Sequence, residues 1–432
     1  MAYEEANPRT FGPARAALLA RAFGSEAGRV FVLSRATVAC VAILAALTLG
    51  SGTSGLGERN AARYDVPVLT HPFGDAGNRV FSPLARWDAV WYLGIADSGY
   101  EGARARSAFF PLYPLTVRAT AELGGGSRAA RLVAAYLVSL AAFLAALVLL
   151  HRLVSLELGR PLATPTLLLL ALFPASLFFG APYSESLFLL VSVGAFYAAR
   201  TGRFAWAGTC AAAAAATRSA GVLLLLPLAV LYLERAGGLD RDSLRRVRPD
   251  AAWLLLAPLG LAAYAGYLQL VTGDGLSFLD VQNAWYREFA GPLGGAWDGL
   301  KAAFESARHL IAGSTGQVHY SDAGGDPTRA ALMNVMLFGF LVFAVTACVG
   351  AFRRLPLAYG LYAGSALLLP LSFPVGPQPL MSLPRFVSVL FPLFMWLALW
   401  CERRRVTDWV AAAFALGLVL FTEQFATWLF VA

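Results

Sequence analysis

Apolar runs long enough to cross a bilayer recur from one end of the 432-residue chain to the other, joined by short connections that carry arginine. At roughly 20 residues a span, the pattern predicts membrane helices at 30–50, 130–153, 164–180, 184–200, 203–218, 219–235, 251–271, 330–351, 354–372, 384–401 and 406–428, about eleven in all. The Ala-rich run at 210–216 is weakly hydrophobic but strongly helix-forming, so it needs neighbours to hold it in the membrane. The expected fold is an all-α polytopic bundle forming a single membrane domain over 1–432. The first run follows a mixed tail at 1–29 and reads as a retained anchor rather than a cleaved signal peptide.

The arginines orient the bundle. With the N-terminus placed in the cytoplasm, the inner connections hold Arg9, Arg15 and Arg21; Arg152 and Arg160; Arg200 and Arg203; Arg235, Arg241, Arg245, Arg246 and Arg248; Arg353 and Arg354; and Arg403, Arg404 and Arg405. The short outer turns hold only Arg218 and Arg385. Two long segments, 51–129 and 272–329, then lie outside on one face, which is where a site is expected. The expected location is the cell membrane with an outward-facing site, or the lumenal face of the endoplasmic reticulum in a eukaryote. No internal repeat is visible, which counts against a secondary transporter.

Composition agrees and narrows the chemistry. The chain is 58% hydrophobic and 14% charged, against about a quarter charged in soluble domains. The net charge of +8 does not point to nucleic acid, because the arginines sit where topology needs them. Lys301 is the only lysine, a bias that reads as GC-rich, bacterial coding. Cys40, Cys210, Cys348 and Cys401 are widely spaced with no CxxC. His71, His151, His309 and His319 have no metal-ligand spacing, and Asp322 and Asp326 fall in "SDAGGDP", which reads as a turn. No metal site or cofactor is expected, and neither a P-loop nor a strand–GxGxxG–helix is present.

The first outer segment contains "SPLARWDAVWYLGIADSGY" at 82–100. Residues 87–98 predict an amphipathic helix at the membrane surface, with Trp87, Val90, Trp91, Gly94 and Ile95 on one stripe and Tyr92 one turn from Asp88. Asp88 opens that helix. It reads either as a first-turn acid favoured by the dipole or as a base for a hydroxyl proton. Asp97 lies at the unfavourable end and reads as solvated or as a second site acid. In "SAFFPLYPL", Pro111 and Pro114 set up a second short helix, and Phe109, Phe110 and Tyr113 either pack or line a groove for a lipid chain or sugar.

"RWDAVWYLGIADSGY" followed by "AFFPLYP" resembles the first outer loop of PIG-V-type mannosyltransferases, which include bacterial members. Similar stretches follow in order: "YSESLF" at 183–188, "ATRSAGVLLLLPL" at 216–228, "VQNAWYREFAGP" at 281–292 and "LPRFVSVLFPLF" at 383–394. The resemblance implies a GT-C bundle that uses polyprenyl- or dolichyl-phosphate sugars. It implies a catalytic acid at Asp88. Arg86, Trp87, Trp91 and Tyr92 beside it are expected at the substrate. An insert-like stretch, "GERNAARYDVPVLTHPFGDAGNRV", precedes the motif and departs from the pattern.

Glu185, Arg218 and Arg385 sit at outer helix ends. They read either as snorkelling boundary charges, with a Glu185–Arg218 ion pair, or as a phosphate site. Arginine offers a fixed, bidentate cation to a lipid phosphate. Arg385 and then Arg218 are the expected phosphate ligands, with Glu185 orienting an arginine or binding a sugar hydroxyl. Gln282, Trp285 and Arg287 in the second outer segment are expected at sugar or phosphate. The expected reaction is transfer of a sugar, mannose first, from a polyprenyl-phosphate donor to a hydroxyl of a glycan, glycolipid or protein, with inversion. The alternatives are another lipid-phosphate sugar, a transporter or lipid flippase, and a non-catalytic subunit.

Overall fold

The computed structural model describes residues 24–50, 55–313 and 326–431. Arg9, Arg15, Arg21, His319 and Asp322 lie outside the described residues. Among those described, every regular element is helical, and the one extended pairing is an isolated antiparallel bridge between Arg287 and Val375.

The main helices are α1 (Glu26–Thr48), α2 (Asp88–Ser98), α3 (Leu112–Glu122), α4 (Arg128–Glu157), α5 (Ala163–Leu172), α6 (Glu185–Arg200), α7 (Phe204–Thr217) and α8 (Leu225–Ala236). The second half adds α9 (Leu256–Thr272), α10 (Gly294–Ala312), α11 (Pro327–Arg354), α12 (Leu357–Ser372), α13 (Leu383–Ser388), α14 (Phe391–Arg404) and α15 (Thr407–Ala426). Their starts follow local chemistry. Ser25 caps α1 by accepting from Gly28 N at 3.1 Å, and Ser127 caps α4 by accepting from Ala130 N at 3.1 Å. Asp326 caps α11 at 3.1 Å from Thr328 N, with Pro327 at the first helical position.

Each predicted apolar run is helical, and six helical stretches are long and apolar enough to cross a membrane: Glu26–Thr48, Arg128–Glu157, Ser219–Ala236, Pro249–Thr272, Pro327–Arg354 and Thr407–Ala426. The chain is therefore a multi-pass membrane protein. The remaining predicted spans are shorter or broken. α5 stops at Leu172 and resumes as a 3-10 turn, Pro174–Phe179, because Pro174 has no N–H to give. Arg35 of α1 satisfies carbonyls freed there, donating to Ser176 O at 2.7 Å and Ala171 O at 3.2 Å. Broken backbone at membrane depth is tolerated only with such partners.

The Ala-rich helix α7 finds the neighbours it needs through glycine. A Cβ at Gly260 would lie 2.0 Å from Ala212 O, and one at Gly208 would lie 1.9 Å from Trp253 O. α9 and the turn before it therefore rest directly on α7, backbone to backbone.

α2 departs from the expected surface helix. Gly94 and Ile95 of the predicted lipid-facing stripe are buried, together with Ala89, Tyr92, Leu93 and Ala96. The apolar residues surround the helix rather than marking one face, so it packs inside the loop structure. Trp87 rests on protein rings: Tyr64 at 5.2 Å, Phe430 at 5.3 Å and Trp428 at 5.6 Å between centroids.

Candidate active site

α2 begins from a strained turn. Trp87 has φ 54° and ψ −118°, a region that a side chain rarely enters and that costs about 1–3 kcal/mol. The Tyr183 hydroxyl bridges the turn: it donates to Arg86 O at 2.9 Å and accepts from Asp88 N at 3.1 Å. Asp88 is the first residue of α2, where the helix dipole favours an acid, and its side chain also pairs across 297 residues of sequence.

Asp88 Oδ2 lies 2.5 Å from Arg385 Nη1. Arg385 Nε lies 2.5 Å from Glu185 Oε1, and the same oxygen lies 3.0 Å from Arg218 Nη1. Two carboxylates and two guanidiniums thus form one neutral chain, drawn from the starts of α2 and α6, from α13, and from the residue after α7. The expected Glu185–Arg218 pair is present, but the charges are enclosed rather than snorkelling. Side-chain exposure falls from 24% at Asp88 to 11% at Arg385 and 0% at Glu185, so Asp88 is the carboxylate of this chain that a substrate can reach. The Arg385 guanidinium also lies over Tyr183, 5.1 Å from the ring centre.

Asp88, Arg218 and Arg385 border a cavity of about 1880 Å³, lined also by Trp87, Trp91 and Tyr92 among others. The second outer segment supplies Gln282, Trp285 and Arg287 to the same wall. It is fixed to the stretch after α12: Arg287 bridges Val375, Arg287 Nη1 donates to Phe373 O at 3.0 Å, and Gly376 N donates to Tyr286 O at 2.9 Å. Among the described residues Arg287 has no carboxylate partner. Burial lowers its pKa to about 10, helped by Arg385 and opposed by Asp88, so it stays cationic at neutral pH. Gln282 Nε2 donates to Phe278 O at 3.0 Å.

Trp91 stacks on Phe109 at 5.7 Å and 13°, and Trp285 stands edge-on to both. Such a platform suits the apolar face of a sugar ring. One flank of the wall is apolar, with Phe188, Ala366, Leu369, Pro370, Val389 and Leu390, while Arg63, Arg106 and Glu288 also line the cavity. Tyr92 is tied to Ser184 by a 2.8 Å hydroxyl pair, and burial pushes its pKa up to about 12.

Four expected site residues are not on this wall. Arg86 precedes the Trp87 turn and points away, 4.0 Å from Asp65 Oδ2 and over the Trp428 ring. Burial lowers its pKa to about 10. Asp97, at the dipole's negative end, is answered by Arg131 at 2.6 Å and Arg128 at 3.5 Å from the start of α4. Tyr113 is fully buried, donating to Ala135 O at 3.1 Å. Glu185 stands behind the arginines instead of lining the cavity. Tyr183, beside Glu185 in "YSES", was not singled out by sequence reasoning; an aromatic hydroxyl in so apolar a run needs buried partners, and that was the available signal. Among the described residues, no three His, Cys, Asp or Glu side chains gather as a metal site needs.

Residues 27–237 match the sequence pattern of the family described as Mannosyltransferase (PIG-V). That stretch is just under half of the 432-residue chain. Curated relatives match over shorter lengths. The mouse protein "GPI alpha-1,6-mannosyltransferase 2" is 36% identical over 178 residues, 39% of this chain and 36% of that protein. "GPI mannosyltransferase 2" of Yarrowia lipolytica is 33% identical over 152 residues, 35% of this chain and 41% of that protein. The chain thus matches only about a third to two fifths of the length of these relatives. An oligosaccharyltransferase of Archaeoglobus fulgidus superposes with a TM-score of 0.40 at 11% identity, over 75% of this chain and 45% of that one, which is too loose to build on. The PIG-V match holds Asp88, Tyr183, Glu185 and Arg218, whereas Arg287 and Arg385 lie beyond it.

Proposed function

We propose that this protein is a PIG-V-type mannosyltransferase, which transfers mannose from a polyprenyl-phosphate donor to a hydroxyl of a glycan, glycolipid or protein acceptor. One observation carries the reading: Asp88 and Arg385 touch on the wall of a cavity that also offers aromatic rings and an apolar flank. A hydroxyl proton needs a base, and a departing lipid phosphate needs cations. Both are within one contact of each other here.

In the proposed reaction the donor phosphate takes hydrogen bonds from Arg385 and Arg287, with Arg218 behind, and relaxes the hold of Arg385 on Asp88. The freed carboxylate accepts the acceptor's hydroxyl proton as its oxygen attacks the anomeric carbon. The bond from that carbon to the phosphate oxygen breaks, and the arginines take up the charge that grows there. Attack opposite the leaving group inverts configuration, so a β-linked donor gives an α-linked product. Glu185 fixes the two arginines and touches no substrate. The apolar flank accommodates the polyprenyl chain, and Trp91, Phe109 and Trp285 the sugar. The arginine-rich connections support a position for this cavity on the outer or lumenal face.

The test is transfer from radiolabelled polyprenyl-phosphate mannose in membranes holding equal amounts of wild type or Asp88→Asn. Label should reach a membrane acceptor with the wild type and fall at least about a hundred-fold with the variant, as for loss of a general base. Equal transfer by both removes Asp88 from the chemistry. Transfer by neither favours another donor sugar or a transport role.

A further inference from the structure

The two ends of α14 face different sites. Leu390, just before its first turn, lines the large cavity. Arg403, in its last turn, lines a separate groove of about 290 Å³ against the end of α11. At 1.5 Å per residue the two lie roughly 20 Å apart along the helix.

Trp396 and Trp400, one turn apart with rings 6.5 Å from each other, wall the groove. Its floor depends on Gly350. A Cβ there would lie 2.0 Å from Trp396 Nε1, so glycine lets the indole rest on the α11 backbone. Arg353, Arg354 and Arg403 line the same groove and are exposed, and among the described residues none has a carboxylate partner. Glu402, in the same turn of α14, is exposed and pairs with none of them. Both helices end here, and each C-terminus carries about half a negative charge, which repels an anion. Three guanidiniums outweigh that.

We propose that this groove binds the headgroup of an anionic phospholipid. The phosphate sits among Arg353, Arg354 and Arg403, and the glycerol shoulder rests on Trp396 and Trp400. Arginine forks match phosphate oxygens. Indole rings favour the headgroup level, and basic pockets between membrane helices take anionic headgroups. A soluble anion would have no use for the two indoles.

The test is native mass spectrometry of the full chain in neutral detergent, titrated with phosphatidylglycerol or with phosphatidylcholine of the same acyl chains. Wild type should prefer phosphatidylglycerol about ten-fold or more. R353Q/R354Q/R403Q should lose that preference. R404Q/R405Q, which removes charge from the same connection but not from the groove, should keep it. R353K/R354K/R403K preserves the charge that sets topology and should show an intermediate preference; it carries the test if the glutamine variant does not reach the membrane. Equal uptake of the two lipids by wild type overturns the proposal. So does equal loss in the R404Q/R405Q control, an unchanged preference in the groove variants, or displacement of the lipid by inorganic phosphate, which marks a site for soluble anions.

Discussion

Tyr183→Phe isolates what aims the Asp88 carboxylate. The substitution keeps the ring, which packs on Phe178 at 5.0 Å and Phe425 at 6.0 Å, and removes only the hydroxyl. That hydroxyl holds Arg86 O at 2.9 Å and Asp88 N at 3.1 Å, on either side of the strained Trp87. A buried polar group left without its partner costs about 1–3 kcal/mol, and relaxation of residue 87 returns about 1–3 kcal/mol of strain. The clamp and the strain are therefore similar in size, and removing the clamp lets the turn open. A shift of about 2 kcal/mol in that equilibrium is roughly thirty-fold in population. We expect transfer by Tyr183→Phe to fall about ten- to a hundred-fold, with the loss in kcat, because Arg385 and Arg287 still meet the donor. The assay is label transfer at varied donor concentration in membranes with matched protein, alongside a thermal unfolding scan. Wild-type kcat in folded Tyr183→Phe protein refutes the view that the bridge aims Asp88.

Glu185→Gln removes the acid that Arg218 and Arg385 share, and breaking so buried a pair should cost about 3 kcal/mol or more, read as a lowered Tm and reduced transfer. Asp97→Asn should leave transfer within about three-fold of wild type while lowering Tm slightly, because its partners are Arg128 and Arg131 at the start of α4; a large loss of transfer would return Asp97 to the site. Burial, only partly offset by Asp65, lowers the pKa of His71 below the ordinary 6.5. The unfolded chain then takes up that proton first, so stability should fall as pH drops through about 6.5 and below, and His71→Asn should blunt the change in Tm between about pH 7.5 and pH 5.5.

The helices were legible because apolar runs of bilayer length have few alternatives, and the shorter ones still appear as α6, α7 and α12. Trp87 and Asp88 of the motif "RWD" and the outer arginines Arg218 and Arg385 border one cavity, whereas Arg86 of the same motif does not. Their mutual contacts were not legible. Asp88 meets Arg385 across 297 residues, and no local pattern encodes a pairing at that distance. The turn at Trp87 was hidden for another reason: glycine announces a positive φ, whereas tryptophan does not. The partners of Asp97 were not legible, because Arg128 and Arg131 stand in the first turn of α4, about thirty residues on, and no local pattern pairs them with it. The surface helix failed as an expectation because the apolar residues of α2 surround its axis, which a one-stripe reading of Trp87, Val90 and Trp91 overlooks.

The shared carboxylate at Glu185 also has a meaning in time. Synthesis runs from the N-terminus, so Glu185 emerges 33 residues before Arg218 and 200 before Arg385. The first arginine arrives with the very next helix, and the pair can enter the membrane as one neutral hairpin, sparing each charge the cost of about 2.5–3.5 kcal/mol for going in alone. Asp88 has no such early companion and waits at the aqueous side until α13 is made. The last charge to arrive is the one that joins the two acids, so the binding wall closes only when nearly the whole chain has been inserted.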